Sequence, residues 1–168
     1  MHDELTAVDI QKMKEELEYR SNVLRRKIIE DVQTARAFGD LSENFEYKAA
    51  KQEKRRNESR IRYLERMIKT AHVIDGTVTD EGTVGLFDKV TIYMEEDDEE
   101  EVIQLVTTLR QNPLKGLISK ESPVGKAVLG HKIGDRVKVE VNADYSYYVE
   151  IRAIEKGQDD DSMEISRY

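Results

Sequence analysis

Residues 38–44 read Phe38-Gly39-Asp40-Leu41-Ser42-Glu43-Asn44, FGDLSEN, and they separate two long segments patterned as helices. From Val8 to about Ala37 there is no Gly or Pro. Ile10, Met13, Leu17, Ser21, Leu24, Ile28, Val32 and Ala35 recur there every three or four residues, one stripe on one long helix. After the stretch, Tyr47, Ala50, Lys54, Asn57, Ile61, Leu64, Ile68 and Ala71 alternate the same two spacings as a heptad seam. Its middle, Lys54 and Asn57, is polar, which predicts loose packing there. Helices of about 28 residues would each span about 42 Å at ~1.5 Å per residue. Joined by so short a turn, they can only run antiparallel. FGDLSEN is then the tip of a helical hairpin.

Past His72 the period changes to two. Val73–Val78, Asp88–Tyr93, Glu101–Val106, Arg136–Val141 and Tyr147–Ile154 read as strands. The acidic run Glu95–Glu101 fits a solvated loop, and Pro123–Leu129 fits one short helix. The expected fold is α+β. A helical hairpin over residues 1–75 is followed by a mainly antiparallel sheet domain with a short helix over 76–158. An acidic tail over 159–168 has the composition of a frayed end.

Composition removes several function classes. The chain has 168 residues, no cysteine, and three histidines (His2, His72, His131) that are scattered in sequence. Disulfide frameworks, thiolate chemistry and a His-based metal site are therefore not expected. No apolar run approaches the ~18 residues of a membrane span, and the N-terminus MHDELTAVDI lacks an export pattern, so a cytoplasmic protein is expected. The net charge of −8 is unevenly placed: through Asp75 there are 16 Lys+Arg against 15 Asp+Glu, and beyond it 11 against 20. Between Tyr47 and Lys69 nine basic residues meet only Glu53, Glu58 and Glu65. Such a locally basic helix in an acidic protein suits contact with a nucleic-acid backbone but not a protein that coats DNA.

The tip admits two readings. Gly39 can end the first helix in a left-handed conformation. Asp40 can cap the second helix, with Glu43 at its third position completing a capping box. Equally, a hairpin so long is a poor way to bury a core, and this one ends in two carboxylates backed by positive charge. Capping and presentation can coexist.

GDLSENFEYKAAKQ (Gly39–Gln52) closely resembles the tip signature of the bacterial Gre transcript-cleavage factors, the GreA/GreB family. ISKESPVGKAVLGHKIGDRVKVEV (Ile118–Val141) resembles the same family's C-terminal signature, and the likeness runs from about Leu5 to Glu155. The resemblance implies a coiled-coil hairpin and an FKBP-like C-terminal domain. It implies docking at the rim of the RNA polymerase secondary channel, on a coiled coil of the largest subunit, with the tip reaching the polymerase active site near the nascent RNA 3′ end. Asp40 and Glu43 would be the acidic pair that helps hold a Mg²⁺ ion within the polymerase complex, with Ser42 as a supporting contact. The chain would be a monomeric cofactor of the polymerase's own cleavage of backtracked transcripts, not an enzyme, with no cofactor of its own and no membrane partner. Lys48, Lys51, Arg55 and Arg56 would guide the RNA 3′ end, and Ser119, Ser122 and Pro123 match the docking region. Alone, those three also read as a turn before a short helix.

The sequence departs from the family pattern at Phe45, where a small residue is usual, at Lys54, at Leu105–Arg110 and at Asn142–Tyr148. An alternative function is therefore a channel-binding paralogue that inhibits polymerase without promoting cleavage. A prolyl isomerase would need an aromatic-lined pocket, and two of the three phenylalanines, Phe38 and Phe45, lie at the tip. A coiled-coil oligomerisation adaptor would be a stable dimer.

Overall fold

The computed structural model describes residues 3–39, 44–76 and 80–166. They fall into two units. One is Ile10–Ala71; the other joins Asp3–Asp9 to the chain from His72 onward.

In the helical unit, α1 (Ala7–Tyr19) passes through a π-helical turn at Arg20–Leu24 into α2 (Arg25–Arg36). The return arm is α3 (Phe45–Thr70). Side-chain pairs step along the arms in opposite directions: Glu16 with Arg60, Arg20 with Asn57, and Arg36 with Tyr47. The arms are therefore antiparallel, as the short connection requires.

The seam differs from expectation in its middle. Lys54 is exposed, but Asn57 is only 3% exposed and Arg60 is as deeply buried. Asn57 accepts from the Arg20 guanidinium at 3.0 Å and donates to the Arg20 carbonyl at 3.2 Å. Arg60 donates to Glu16 Oε2 from both Nε and Nη2, at 3.2 and 3.0 Å, and Arg20 Nε reaches Glu16 Oε1 at 3.2 Å. Arg25 grips Glu58 with two bonds of 2.8 and 2.9 Å. Polarity here produces a hydrogen-bonded layer in place of a loose gap, because Asn57 and Arg60 both find directed partners on the facing arm.

The other unit is a five-stranded sheet. Its strands follow a two-residue parallel pair of β1 (Glu4–Leu5) and β2 (His72–Val73). They are β3 (Lys89–Met94), β4 (Glu99–Val106), β5 (Leu117–Ser119), β6 (Arg136–Glu140) and β7 (Ser146–Glu155), in the order β5-β4-β3-β7-β6. All neighbours are antiparallel except β4 and β5. Alternation along each strand sends Val90, Ile92, Ile103, Leu105, Val137, Val139, Val149 and Ile151 into one core, which Val128 of α4 (Pro123–Val128) completes. The acidic run is divided: 95–98 form the turn, while Glu99–Glu101 already belong to β4. The strand expected at Val73–Val78 has ladder pairing only at its start, and residues 77–79 lie outside the described residues.

Two close packings shape this unit. A Cβ on Gly125 would stand 2.2 Å from the Ser119 carbonyl, so α4 meets the end of β5 at a distance only glycine permits. The second is built around Arg110, fully buried in the 3₁₀ turn Thr108–Arg110. Its Nε donates to Asp9 at 2.6 Å, its Nη2 to Thr6 at 2.9 Å and Asp159 at 2.5 Å, and its Nη1 to the Asp160 carbonyl at 3.2 Å. The guanidinium also lies over the Phe87 ring, 4.7 Å from its centroid. Thr6 and Asp9 are themselves the capping box that starts α1: the Thr6 N–H donates to Asp9 and the Asp9 N–H to the Thr6 hydroxyl. Residues 159–166, set apart by composition as a tail, also touch this body where the Ser166 N–H donates to the Leu109 carbonyl at 2.6 Å.

Candidate functional site

The end of the hairpin is built from both arms. After Arg36 the last turn of α2 closes with Phe38 and Gly39 N–H groups donating to Ala35 and Arg36 carbonyls, and Gly39 takes φ +102, the left-handed stop anticipated for it. The return arm is capped by Asn44, whose Oδ1 accepts from the Tyr47 N–H at 3.0 Å. The cap expected from Asp40 and Glu43 is thus supplied by another residue. A helix that begins at Phe45 needs its acceptor at position 44, and asparagine is among the best caps.

Asn44 does more than cap. Its Nδ2 donates to the Ala35 carbonyl at 2.7 Å, so one side chain ties the end of α2 to the start of α3. Asp40, Ser42 and Glu43 lie outside the described residues, within the four-residue segment that Gly39 and Asn44 bracket.

Below this bridge the flank is aromatic and basic. Arg36 donates to the Tyr47 hydroxyl at 3.3 Å and lies over its ring, and Lys51 sits 5.3 Å from the same ring centroid. The hydrogen bond from Arg36, helped by Lys51, holds the Tyr47 phenol below its ordinary pKa. Lys48 stands over Phe45, 5.7 Å from the centroid. Phe45 is 79% exposed and Phe38 70% exposed, so neither tip aromatic is consumed by packing. Of the four basic residues singled out, all are exposed; Arg56 is also paired with Glu53 at 3.4 Å.

The second set, on the sheet unit, is arranged differently. Ser119 is buried and its hydroxyl accepts from the Glu121 N–H at 3.0 Å. Ser122 caps α4, donating to the Ser119 carbonyl at 2.7 Å and accepting from Gly125 at 3.1 Å. Pro123 is exposed in the first turn of α4. The two hydroxyls shape the turn that presents Pro123. Nearby, Lys120 is paired with Glu4 and Glu121.

Among the described residues no group of three or more His, Cys, Asp or Glu could hold a metal ion. No helix among them is long and apolar enough to cross a membrane.

Sequence comparisons match both units. The family model for the transcription elongation factor N-terminal region covers residues 4–73, and that for the GreA/GreB C-terminal region covers residues 79–156. The chain belongs to the GreA/GreB family of transcription elongation factors. Transcription elongation factor GreA of Thermoanaerobacter pseudethanolicus is 45% identical over 139 residues, which span 83% of this chain and 88% of that one. GreA of Mesoplasma florum is 39% identical over 151 residues, 89% and 96% of the two chains. Among solved structures, Gfh1 of Thermus aquaticus aligns over 92% of this chain and 99% of its own, at 28% identity and a TM-score of 0.43.

Three structural features are not legible in the sequence. Asn44 was visible as an N-cap type, but its second bond, to Ala35, depends on the antiparallel return. Arg110 lay in a stretch that departs from the family pattern, and nothing local marks its burial. Of the Arg20–Asn57 pair only Asn57 stands at a seam position, where its polarity predicts loose packing rather than a bond to the facing arm.

Proposed function

We propose that this Gre-family chain binds RNA polymerase, brings residues 40–43 to its active site through the secondary channel, and stimulates cleavage of backtracked transcripts. The observation that carries this reading is the Asn44 bridge. Because Asn44 caps α3 and holds Ala35, the start of the return helix does not depend on Asp40 or Glu43. The carboxylates of Asp40 and Glu43 are then not needed to start α3.

Two carboxylates are hard oxygen donors suited to Mg²⁺ but fall well short of an octahedral set, so the ion would be shared with ligands from the polymerase. Mg²⁺ held there would help generate the attacking hydroxide and neutralise charge on the phosphodiester. Asp40 and Glu43 are the residues that would hold it, with Ser42 supporting. Lys48, Lys51 and Arg55 would draw the RNA 3′ end by phosphate attraction, and Arg56 less so, since Glu53 already offsets its charge. On the sheet unit, the turn fixed by Ser119 and Ser122 would offer Pro123 to the rim of the channel. The protein would act as a monomer in the bacterial cytoplasm, donating residues to another enzyme's chemistry.

The test is cleavage in stalled elongation complexes with Mg²⁺. Asp40→Asn and Glu43→Gln should fold within about 1 kcal/mol of the parent, because α3 keeps its own cap. They should compete with the parent for polymerase yet release no 3′ fragments, and added Mg²⁺ should restore part of the activity. If both variants cleave like the parent, the acidic pair has no role in the chemistry. A parent that binds without stimulating cleavage would instead indicate the inhibitory paralogue.

A further inference from the structure

The first arm of the hairpin carries one residue more than a regular helix facing α3 requires. Its buried apolar residues are Met13, Ile28 and Ala35. The second interval is one heptad; the first exceeds two heptads by a single residue. On α3 there is no surplus: Asn57 and Leu64, like Arg60 and Met67, are buried one heptad apart. The extra residue is absorbed at Arg20–Leu24, where the Arg25 N–H reaches back five residues to the Arg20 carbonyl. That same carbonyl accepts from the Asn57 amide, and the Arg20 guanidinium returns a bond to Asn57. Val23, inside the turn, is 57% exposed, so packing of its side chain does not fix the turn in place.

We infer that the π-turn at Arg20–Leu24 and the buried amide of Asn57 form a register lock, with Asn57 a positioning residue that acts on the tip through Arg20. A surplus residue in a helix is free to sit at any turn unless something selects one. Each residue by which it moves rotates the intervening helix by about 100°. Asn57 selects the turn by offering a donor and an acceptor at one height of α3, which is how a single polar residue in an otherwise apolar seam specifies register. Downstream, α2 then arrives with the Ala35 carbonyl facing Asn44, and the bridge across the tip closes. The functional side of this inference rests on the tip being the working end; the geometric side does not.

The chain has no cysteine, so introduced pairs report register cleanly. Cysteines replacing Arg36 and Tyr47, which touch in the hairpin, are joined with a short thiol cross-linker, and a 36/46 pair serves as the out-of-phase control. Four backgrounds are compared: the parent, Asn57→Leu, deletion of Val23, and the two changes together. Asn57→Leu alone should shift cross-linking away from 36/47. In the chain without added cysteines it should lower maximal cleavage stimulation at saturating factor by about tenfold or more, as a misplaced reacting group does, with polymerase affinity unchanged. Deleting Val23 removes the surplus, and the Arg25 N–H then reaches the Arg20 carbonyl as an ordinary four-residue helical bond. In that shortened chain Asn57→Leu should alter neither readout. The inference is overturned if Asn57→Leu leaves the cross-linking pattern of the full-length hairpin intact, or if its effect is as large in the shortened chain. Should the full-length variant not fold, the shortened pair decides alone, because there the two must fold equally well. Cross-linking needs no polymerase, so a parent that fails to stimulate cleavage would sink the proposed function and still leave the lock tested.

Discussion

The sheet unit and the helical hairpin bury different things. In the sheet unit, alternate residues of four strands and Val128 of α4 merge into one apolar core, and Arg110, the single deeply buried cation among its described residues, has a partner on each side. In the hairpin, the buried apolar residues among those described are Met13, Ile28 and Ala35 on one arm and Ile61, Leu64 and Met67 on the other, with Glu16, Arg20, Asn57 and Arg60 forming the polar layer. Apolar contact is strong and indifferent to direction; hydrogen bonds are weaker in net terms and highly directional. A body that only has to keep its shape can rely on the first. A two-helix arm, with little apolar surface to bury, gains a set register from the second.

That contrast breaks most visibly at Arg110. Replacing it with leucine leaves Asp9 and Asp159 without their shared partner in a buried setting. Loss of one member of such an ion pair costs about 3–5 kcal/mol, read as a fall in the denaturant midpoint of the sheet unit. A loss below about 1 kcal/mol would mean that the carboxylates reach water and the cluster is not a true buried pair. In the hairpin, the corresponding cut is Leu64→Ala. The site is fully buried, but only one helix lies opposite, so neighbours can close in and the cost should fall near the lower end of the usual range, about 2–3 kcal/mol. Equal losses at Leu64 and at Ile151→Ala would erase the distinction between the two units.

The two units were also unequally legible in the sequence. Helix limits and the strands β3, β4, β6 and β7 follow from periodicity within a residue or two, because a buried face repeats along each element. The short parallel strands β1 and β5 are not legible, and β2 only at Val73, since pairing of two or three residues depends on what lies beside them. The π-turn left only a polar residue, Ser21, at a seam position, and spacing alone did not show that one helix carried an extra residue. At the tip, the sequence offers Asp40 as a cap, and Asn44 fills that place. Both asparagines, 44 and 57, act across the hairpin, and no window along one arm reports that.

The smallest effect concerns the surface. Lys120 hydrogen-bonds Glu4 and holds its carboxyl below the ordinary range, while Lys120, whose burial works against its charge, is raised by Glu4 and Glu121. The Glu4 contribution is present above the unfolded-state carboxylate pKa and fades as pH falls through the lowered value. The Lys120 contribution is present below the unfolded-state lysine pKa and fades as pH rises through the raised one. Glu4 is largely solvated, so Glu4→Gln should cost about 0–1 kcal/mol near neutrality. That difference should vanish in acid, as measured by melting temperature against pH. A cost well above 1 kcal/mol would show that the pair, and not the strands it joins, fastens β1.

The Asn44 bridge has a consequence for how such a protein can change. With Gly39 stopping one helix and Asn44 starting the next while holding Ala35, the interval between them is a cassette whose ends are defined independently of its contents. Four residues can be exchanged there by substitution or grafting without renegotiating the stem, much as a tool holder accepts different bits. Residues 40–43 are thereby free to vary while Asn44 and Asn57 keep the two arms in place.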